Sequence, residues 1–245
     1  MQFAGSHILT VSQFQRADVE QLFSVADAMR PYAHRERITR ALQGAILGSM
    51  FFEPSTRTRI SFGSAFNLLG GEVRETTGFE HSAIAKGESL YDTARVLSGY
   101  SDIIVMRHPE AGSVAEFAHA SRVPVLNGGD GANEHPSQAL LDLYTIRSEL
   151  ADRDRGLDGL RIAMVGDLRF GRTVHSLSKL LSLFTGLRVS LVSPEALSMP
   201  AEVVDALQAA GHEVFQTDSL EQGIADVDIV YSTRIQEERF ASAEE

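Results

Sequence analysis

The sequence predicts an α/β protein made of two doubly wound parallel-sheet domains, the second of them truncated. Short apolar runs alternate with helix-period segments along the chain, the pattern left by parallel strands joined through crossover helices. That alternation is broken once, at the polar, glycine-containing stretch ADRDRGLDG, and then restarts. A length of 245 residues falls between one large domain and two small ones, on a scale of roughly 100–200 residues per domain. The predicted division is therefore a first domain over residues 1–150 and a second over 151–245.

In the first domain Ala45–Phe52 (AILGSMFF) reads as a strand, and Ser55–Leu69 as a helix stopped by Gly70-Gly71. Glu72–Thr76 is a short strand, Leu90–Leu97 a helix, Asp102–Met106 a strand, Val114–Ala120 a helix and Val123–Leu126 a strand. A longer helix runs from Pro136 to Leu150, with proline at a first-turn position that needs no amide hydrogen. In the second domain Arg161–Val165 is a strand. Thr173–Phe184 is a helix with Val174, Leu177, Leu180, Leu181 and Phe184 at apolar positions. Leu187–Val192 is a strand, Ala201–Ala210 a helix closed by Gly211, and Glu213–Gln216 a strand. Ser219–Ala225 is a short helix and Asp228–Ser232 a strand, after which the chain runs TRIQEERFASAEE and stops. Nothing then covers the last strand, which is the reason for reading the second domain as incomplete.

Composition narrows the function classes. A hydrophobic content of 43% with 22% charged residues excludes a largely disordered chain. No apolar run approaches the roughly 18 residues of a membrane span, and MQFAGSHILT lacks the basic-then-apolar start of a secretory signal. With no cysteine, disulfides and thiolate metal sites are excluded. The eight histidines show no metal-ligand spacing, so neither a metal nor another cofactor is expected. The formal net charge of -11 argues against nucleic acid as a partner. The expected location is the cytoplasm, away from membranes.

An acidic chain can still hold an anion locally, and the sharpest candidate is Glu53-Pro54-Ser55-Thr56-Arg57-Thr58-Arg59, between a strand and a helix. The first amides of a helix have no intrahelical partner, and the helix dipole favours negative charge there. Ser55 is placed to cap that helix, and the hydroxyls and guanidinium groups around it suit phosphate oxygens. The glycine-rich stretch and Gly-Lys-Ser/Thr ending of a Walker loop are absent, so nucleotide binding is unsupported. Arg107 and His108 follow the strand Asp102–Met106, where Arg107 can meet the same anion. His135 and Gln138 are three apart at the start of the long helix, after the glycine-rich loop Asn127–Gly131. His135 can donate to a carbonyl oxygen without acting as a nucleophile.

In the second domain Gly166-Asp167-Leu168-Arg169-Phe170-Gly171-Arg172 joins a strand to a helix but lacks the dinucleotide fingerprint. Its arginines suggest a carboxylate-bearing ligand, and Arg234 and Gln236 follow the last strand in the same way. Lys86, in the polar stretch Gly78–Ser89, reads by itself as a solvated loop lysine. These features together describe anion capture and carbonyl polarisation without a covalent nucleophile.

FFEPSTRTRISF, MRHPE, LNGGDGANEHPSQALLDLYTI, AMVGDLRFGRTVHSL and YSTRIQEER together resemble the catalytic chains of the aspartate transcarbamoylase family, in the family's order and across nearly the whole chain. The Ser-Thr-Arg-Thr-Arg and His-Pro-Ser-Gln elements also fit ornithine transcarbamoylases; GDLRFGRTVHSL and STRIQ favour the aspartate branch. The resemblance implies carbamoyl transfer from carbamoyl phosphate to L-aspartate, a step of pyrimidine synthesis. It implies that Ser55, Thr56, Arg57 and Thr58 hold the phosphate, with Arg107 bridging phosphate and carbonyl oxygen. Thr58, Arg107 and His135 would stabilise the oxyanion, and Gln138 would position the carbamoyl amide. Arg172, Arg234 and Gln236 would bind the aspartate carboxylates, and Glu53 would orient those arginines on domain closure.

The resemblance further implies a homotrimer in which a neighbouring subunit's loop, carrying Ser82 and Lys86, completes each site, with Lys86 reaching the aspartate. Regulatory chains or a dihydroorotase are assemblies it allows. Family chains continue through a His-Pro-Leu-Pro-Arg loop, a further strand and a closing helix, so a 245-residue form is expected to be impaired. The competing readings are an ornithine or other carbamoyltransferase, set apart by the amine acceptor, and a non-catalytic scaffold subunit. Such a scaffold should have lost part of the phosphate turn or Lys86.

Overall fold

The computed structural model describes residues 1–76 and 86–235. By backbone contacts the chain forms two compact units, Met1–Gln13 with Ala17–Pro136, and Phe14–Arg16 with the described residues from Ser137 onward.

The first unit is built on four parallel strands, β1 (Ile46–Phe51), β2 (Glu72–Thr76), β3 (Ile103–His108) and β4 (Val125–Asp130), in the order β2-β1-β3-β4. Parallel strands covered on both faces need apolar residues of both parities, and β1 and β3 supply them. Met50, Ile104 and Met106 pack with Ala94 of α3 (Leu90–Leu97) and with Val114, Phe117 and Ala118 of α4 (Ser113–Ala120). Leu47, Phe51 and Val105 point the other way, against Phe62 and Phe66 of α2 (Thr56–Leu68). Phe117, fully buried, anchors the α4 side; truncating such a ring to alanine costs about 3–5 kcal/mol.

One long helix was not anticipated from the sequence: α1 (Arg16–Ala33), whose Val19 and Phe23 are buried one turn apart. Its Asp18, in the first turn, is paired with the N-terminal amine of Met1. β4 is also longer than expected, because Asn127–Asp130 continues the strand instead of forming a loop. Gly128 makes this close pairing feasible, since a Cβ there would lie 3.2 Å from the Met106 carbonyl oxygen.

The second unit repeats the architecture. After α5 (Pro136–Ala151), strands β5 (Arg161–Val165), β6 (Arg188–Val192), β7 (Glu213–Thr217) and β8 (Ile229–Ser232) form a parallel sheet in the order β7-β6-β5-β8. α6 (Arg172–Leu181) buries Val174, Leu177, Leu180 and Leu181 at helical spacing. Its Ser178 hydroxyl meets the Met164 sulfur on β5 at 3.5 Å, which fixes the face it covers. α7 (Ala201–Ala209) buries Val203, Val204 and Leu207. α8 (Leu220–Ile224) lies on the opposite face, with Gly223 pressed so closely on Val192 that a Cβ would fall 2.1 Å from its methyl carbon. The sequence-predicted architecture of two parallel α/β sheets is what the chain adopts.

Candidate active site

In the first sheet the strand order reverses between β1 and β3, and ligands of open α/β sheets bind at such a switch point, beyond the carboxyl ends of the strands. The register sets Phe51 opposite Arg107. Glu53, two residues past Phe51, accepts a hydrogen bond from Arg107 Nε on its Oε1 at 2.6 Å. A second, longer bond from the Arg107 guanidinium reaches the Gly128 carbonyl at 3.4 Å. Arg107 is thus held at a strand end by one short bond to a carboxylate and a longer one to a backbone carbonyl. The same Glu53 that the resemblance assigned to orienting the aspartate arginines is here paired with Arg107.

Ser55 occupies the N-cap of α2 with extended backbone (φ -156, ψ 100), yet its side chain makes no capping hydrogen bond. The position was expected; the capping bond is corrected by the structure. The Ser55 hydroxyl oxygen therefore accepts from none of the first-turn amides, which have no intrahelical partner of their own. Among the described residues Arg57 is exposed and has no ion-pair partner, whereas Arg59 pairs with Glu75 at 3.8 Å. Thr58 Oγ1 lies 3.5 Å from His135 Nε2, so within the first unit the Ser55–Arg59 turn and His135 come together.

His135 is buried, and a polar network holds the segment that carries it. Asp130 Oδ1 accepts from Asn127 Nδ2 at 2.9 Å and from the Glu134 amide at 3.2 Å, while its Oδ2 accepts from the Gly112 amide and Asn133 Nδ2, each at 2.9 Å. Glu134, buried next to His135, accepts from the Thr10 hydroxyl and the Val11 amide, both at 2.8 Å. Buried carboxylate oxygens need such donors in place of the water they give up. His108 is structural: its Nδ1 accepts from the Glu110 amide at 3.1 Å, its ring packs on Phe52, and burial holds its pKa below the usual histidine value.

In the second unit Gln138 Nε2 donates to Asp142 Oδ1 at 2.9 Å, one turn along α5, and Tyr231 on β8 donates its hydroxyl to Asp142 Oδ2 at 2.8 Å. Burial pushes the Asp142 carboxyl up, and the two donors pull it back. The second sheet has its switch point between β5 and β8. There Gly166 (φ +120) lies against the Thr233 carbonyl, 2.2 Å from where its Cβ would be, so only glycine fits. Arg172 opens α6 in a buried position, and Arg234 is exposed just beyond β8. Arg169 stacks on Phe170 at 4.8 Å and donates to the Ala196 carbonyl at 3.3 Å, which gives it a local structural role.

Lys86 is exposed in the turn before α3 and makes no hydrogen bond or ion pair with the described residues of the phosphate turn. Ser82 and Gln236 lie outside the described residues. No group of three or more His, Asp or Glu among the described residues is placed to hold a metal ion, and no described helix is long and apolar enough to cross a membrane. Sequence reading missed Asp130, Glu134, Asp142 and Tyr231. Of these only Asp142 carries a local signal, its four-residue spacing from Gln138 on a helix.

Residues 6–148 match the carbamoyl-phosphate binding domain of aspartate/ornithine carbamoyltransferases, and residues 158–245 match the Asp/Orn binding domain. The chain belongs to the aspartate/ornithine carbamoyltransferase family. Within that family it is 73% identical over 245 residues to the aspartate carbamoyltransferase catalytic subunit of Saccharophagus degradans, spanning all of this chain and 73% of that one. The corresponding subunit of Cellvibrio japonicus is 69% identical, again over the whole chain and 72% of the relative. Among solved carbamoyltransferases, the M. jannaschii catalytic subunit superposes with a TM-score of 0.89 at 44% identity, covering 98% of this chain and 77% of that one. The Trypanosoma cruzi aspartate transcarbamoylase in complex with carbamoyl phosphate and aspartate also gives 0.89 at 44% identity, covering 97% and 74% of the respective chains.

Proposed function

We propose that this chain is an aspartate carbamoyltransferase, joining the carbamoyl group of carbamoyl phosphate to L-aspartate with release of phosphate. The supporting observation is the 73% identity, over every residue of the chain, to a catalytic subunit of that name. The arrangement at the β1/β3 switch point suits the chemistry. Carbamoyl phosphate brings a dianionic phosphate and a carbonyl, and the chain offers an uncapped helix start for the first and donors from Thr58, Arg107 and His135 for the second.

The α-amino group of aspartate attacks the carbonyl carbon and forms a C–N bond while the carbonyl electron pair moves onto oxygen. Thr58, Arg107 and His135 stabilise that oxyanion, catalysis by fixed electrostatics. When the carbonyl re-forms, the bond between the carbonyl carbon and the bridging oxygen breaks, and phosphate departs with all four oxygens and takes up the proton that the amine gives up. Ser55, Thr56, Arg57 and Thr58 hold the departing phosphate, and Gln138 fixes the carbamoyl amide. Arg172, Arg234 and Gln236, with Lys86, bind the aspartate carboxylates. Two carboxylates on the acceptor call for more than one cation, which favours aspartate over ornithine.

On this reading residues 1–150 form a carbamoyl phosphate-binding domain and 151–245 an aspartate-binding domain, in line with the two family matches. The chain works in the cytoplasm in pyrimidine synthesis, as a homotrimer in which Ser82 and Lys86 of one subunit serve the site of the next. Carbamoyl phosphate turnover with L-aspartate and L-ornithine in parallel tests the function. Product from aspartate alone is expected; product from ornithine alone would overturn it. Mixing Lys86→Ala subunits with His135→Ala subunits tests the shared site, since mixed trimers should regain activity that neither parent has.

A further inference from the structure

We propose that Asp142 is a positioning residue: it fixes the orientation of the Gln138 amide so that Oε1 faces the carbamoyl group, and Tyr231 holds Asp142 for that purpose. The inference rests on the reading of Gln138 as the contact to the carbamoyl amide. Its basis is geometric. Gln138 and Asp142 are one helical turn apart on α5, with Nε2 to Oδ1 at 2.9 Å. A carboxylate only accepts, so it selects the NH2 end of the side-chain amide. The amide oxygen is thereby left pointing away from Asp142, and an acceptor is what the NH2 of a carbamoyl group needs.

Tyr231 completes the device. Its hydroxyl donates to the other carboxylate oxygen at 2.8 Å, so both Asp142 oxygens are claimed and the group cannot rotate freely. The phenol is half-buried, and that desolvation pushes its pKa well up, which keeps it a donor at all ordinary pH. Tyr231 is on β8, three residues before Arg234, so the strand that delivers an arginine for aspartate also delivers the clamp on Asp142.

The isosteric substitution Asp142→Asn reverses this arrangement. With Tyr231 still donating to the asparagine oxygen, the asparagine NH2 faces Gln138 and draws its Oε1 inward. Gln138 then presents NH2 to a carbamoyl NH2, two donors face to face.

The test is calorimetric binding of carbamoyl phosphate and, separately, of inorganic phosphate, to the unaltered chain and to Asp142→Asn, Tyr231→Phe, Gln138→Ala and the Asp142→Asn/Gln138→Ala double variant. For Asp142→Asn the carbamoyl phosphate Kd should rise about tenfold, the scale of one hydrogen bond lost and a donor mismatched, while phosphate binding is unchanged. Tyr231→Phe should follow in the same direction by about threefold. In the Gln138→Ala background Asp142→Asn should add nothing. Equal weakening for both ligands, as from a misfolded site, overturns the proposal, as does an undiminished effect of Asp142→Asn in the absence of Gln138. If Gln138→Ala itself leaves carbamoyl phosphate affinity unchanged, the assignment of Gln138 fails and the role of Asp142 falls with it.

Discussion

Arg107 Nε donates to Glu53 Oε1 at 2.6 Å, joining the ends of two adjacent parallel strands where the order of the first sheet reverses. The pair is mostly shielded from water, so the guanidinium is aimed by a charge-assisted bond rather than left to solvent. Loss of that aim has a cost even when Arg107 remains. Glu53→Gln should lower kcat about 10- to 100-fold, because misplacing a group that polarises the carbonyl by about an ångström is expensive. Arg107→Ala should lose about 10²–10³-fold. Steady-state kinetics with carbamoyl phosphate and aspartate measure both.

Arg57 and Arg59 are two residues apart and differ in their surroundings, since Arg59 has Glu75 as partner and Arg57 remains exposed at the head of α2. Arg57→Ala should weaken carbamoyl phosphate binding about 100-fold or more, the scale for deleting one partner of a desolvated charge pair. Arg59→Ala should have a much smaller effect. Calorimetric titration of each variant distinguishes them, and equal losses would contradict the assignment of Arg57 to the phosphate.

Gly166→Ala would drive a methyl group into the Thr233 carbonyl, at a φ that alanine rarely adopts. Backbone has to move at the second switch point, one residue from Arg234. The expected loss is about 2–4 kcal/mol, seen as a drop in Tm of roughly 5–15 °C in a chain of this size.

His175 predicts a pH dependence of stability. Its Nε2 hydrogen donates to the Leu168 carbonyl at 2.7 Å, and burial, the main cause, lowers its pKa from 6.5. The folded chain therefore prefers the neutral ring. The contribution is fully present above the unfolded-state pKa of 6.5 and is lost as pH falls below it toward the lower folded value. His7, His108 and His212 are shifted the same way by burial, so the acid slope is shared. His175→Gln should flatten it in part, by Tm measured between pH 7.5 and 5.

Much of this was legible in the chain because the signals are local. The β1–α2 turn announces itself through Ser55, Thr56, Arg57 and Thr58, and the apolar periodicity of Val174, Leu177, Leu180 and Leu181 names the buried face of α6. What was hidden depends on partners distant in sequence. Glu134 looks like any exposed acid until Thr10 and Val11 arrive from the other end of the first unit. Asp142 acquires its role only when β8 brings Tyr231 against it. Asn127–Asp130 reads as a loop from its glycines, and pairing with β3 makes it a strand. Ser55 was legible in place but not in its bonding, since capping propensity alone does not fix whether the side-chain oxygen accepts from a first-turn amide.

The most direct measurement is the carbonyl resonance of 13C-labelled carbamoyl phosphate bound to the protein, compared with the free ligand and with the His135→Ala and Arg107→Ala variants. Donors converging on the carbonyl oxygen should move the bound signal downfield, and each substitution should reverse part of that shift at ligand concentrations that still saturate the phosphate turn. A bound resonance identical to the free one, or a shift indifferent to both His135 and Arg107, would contradict the assignment of carbonyl polarisation to the β1/β3 switch point.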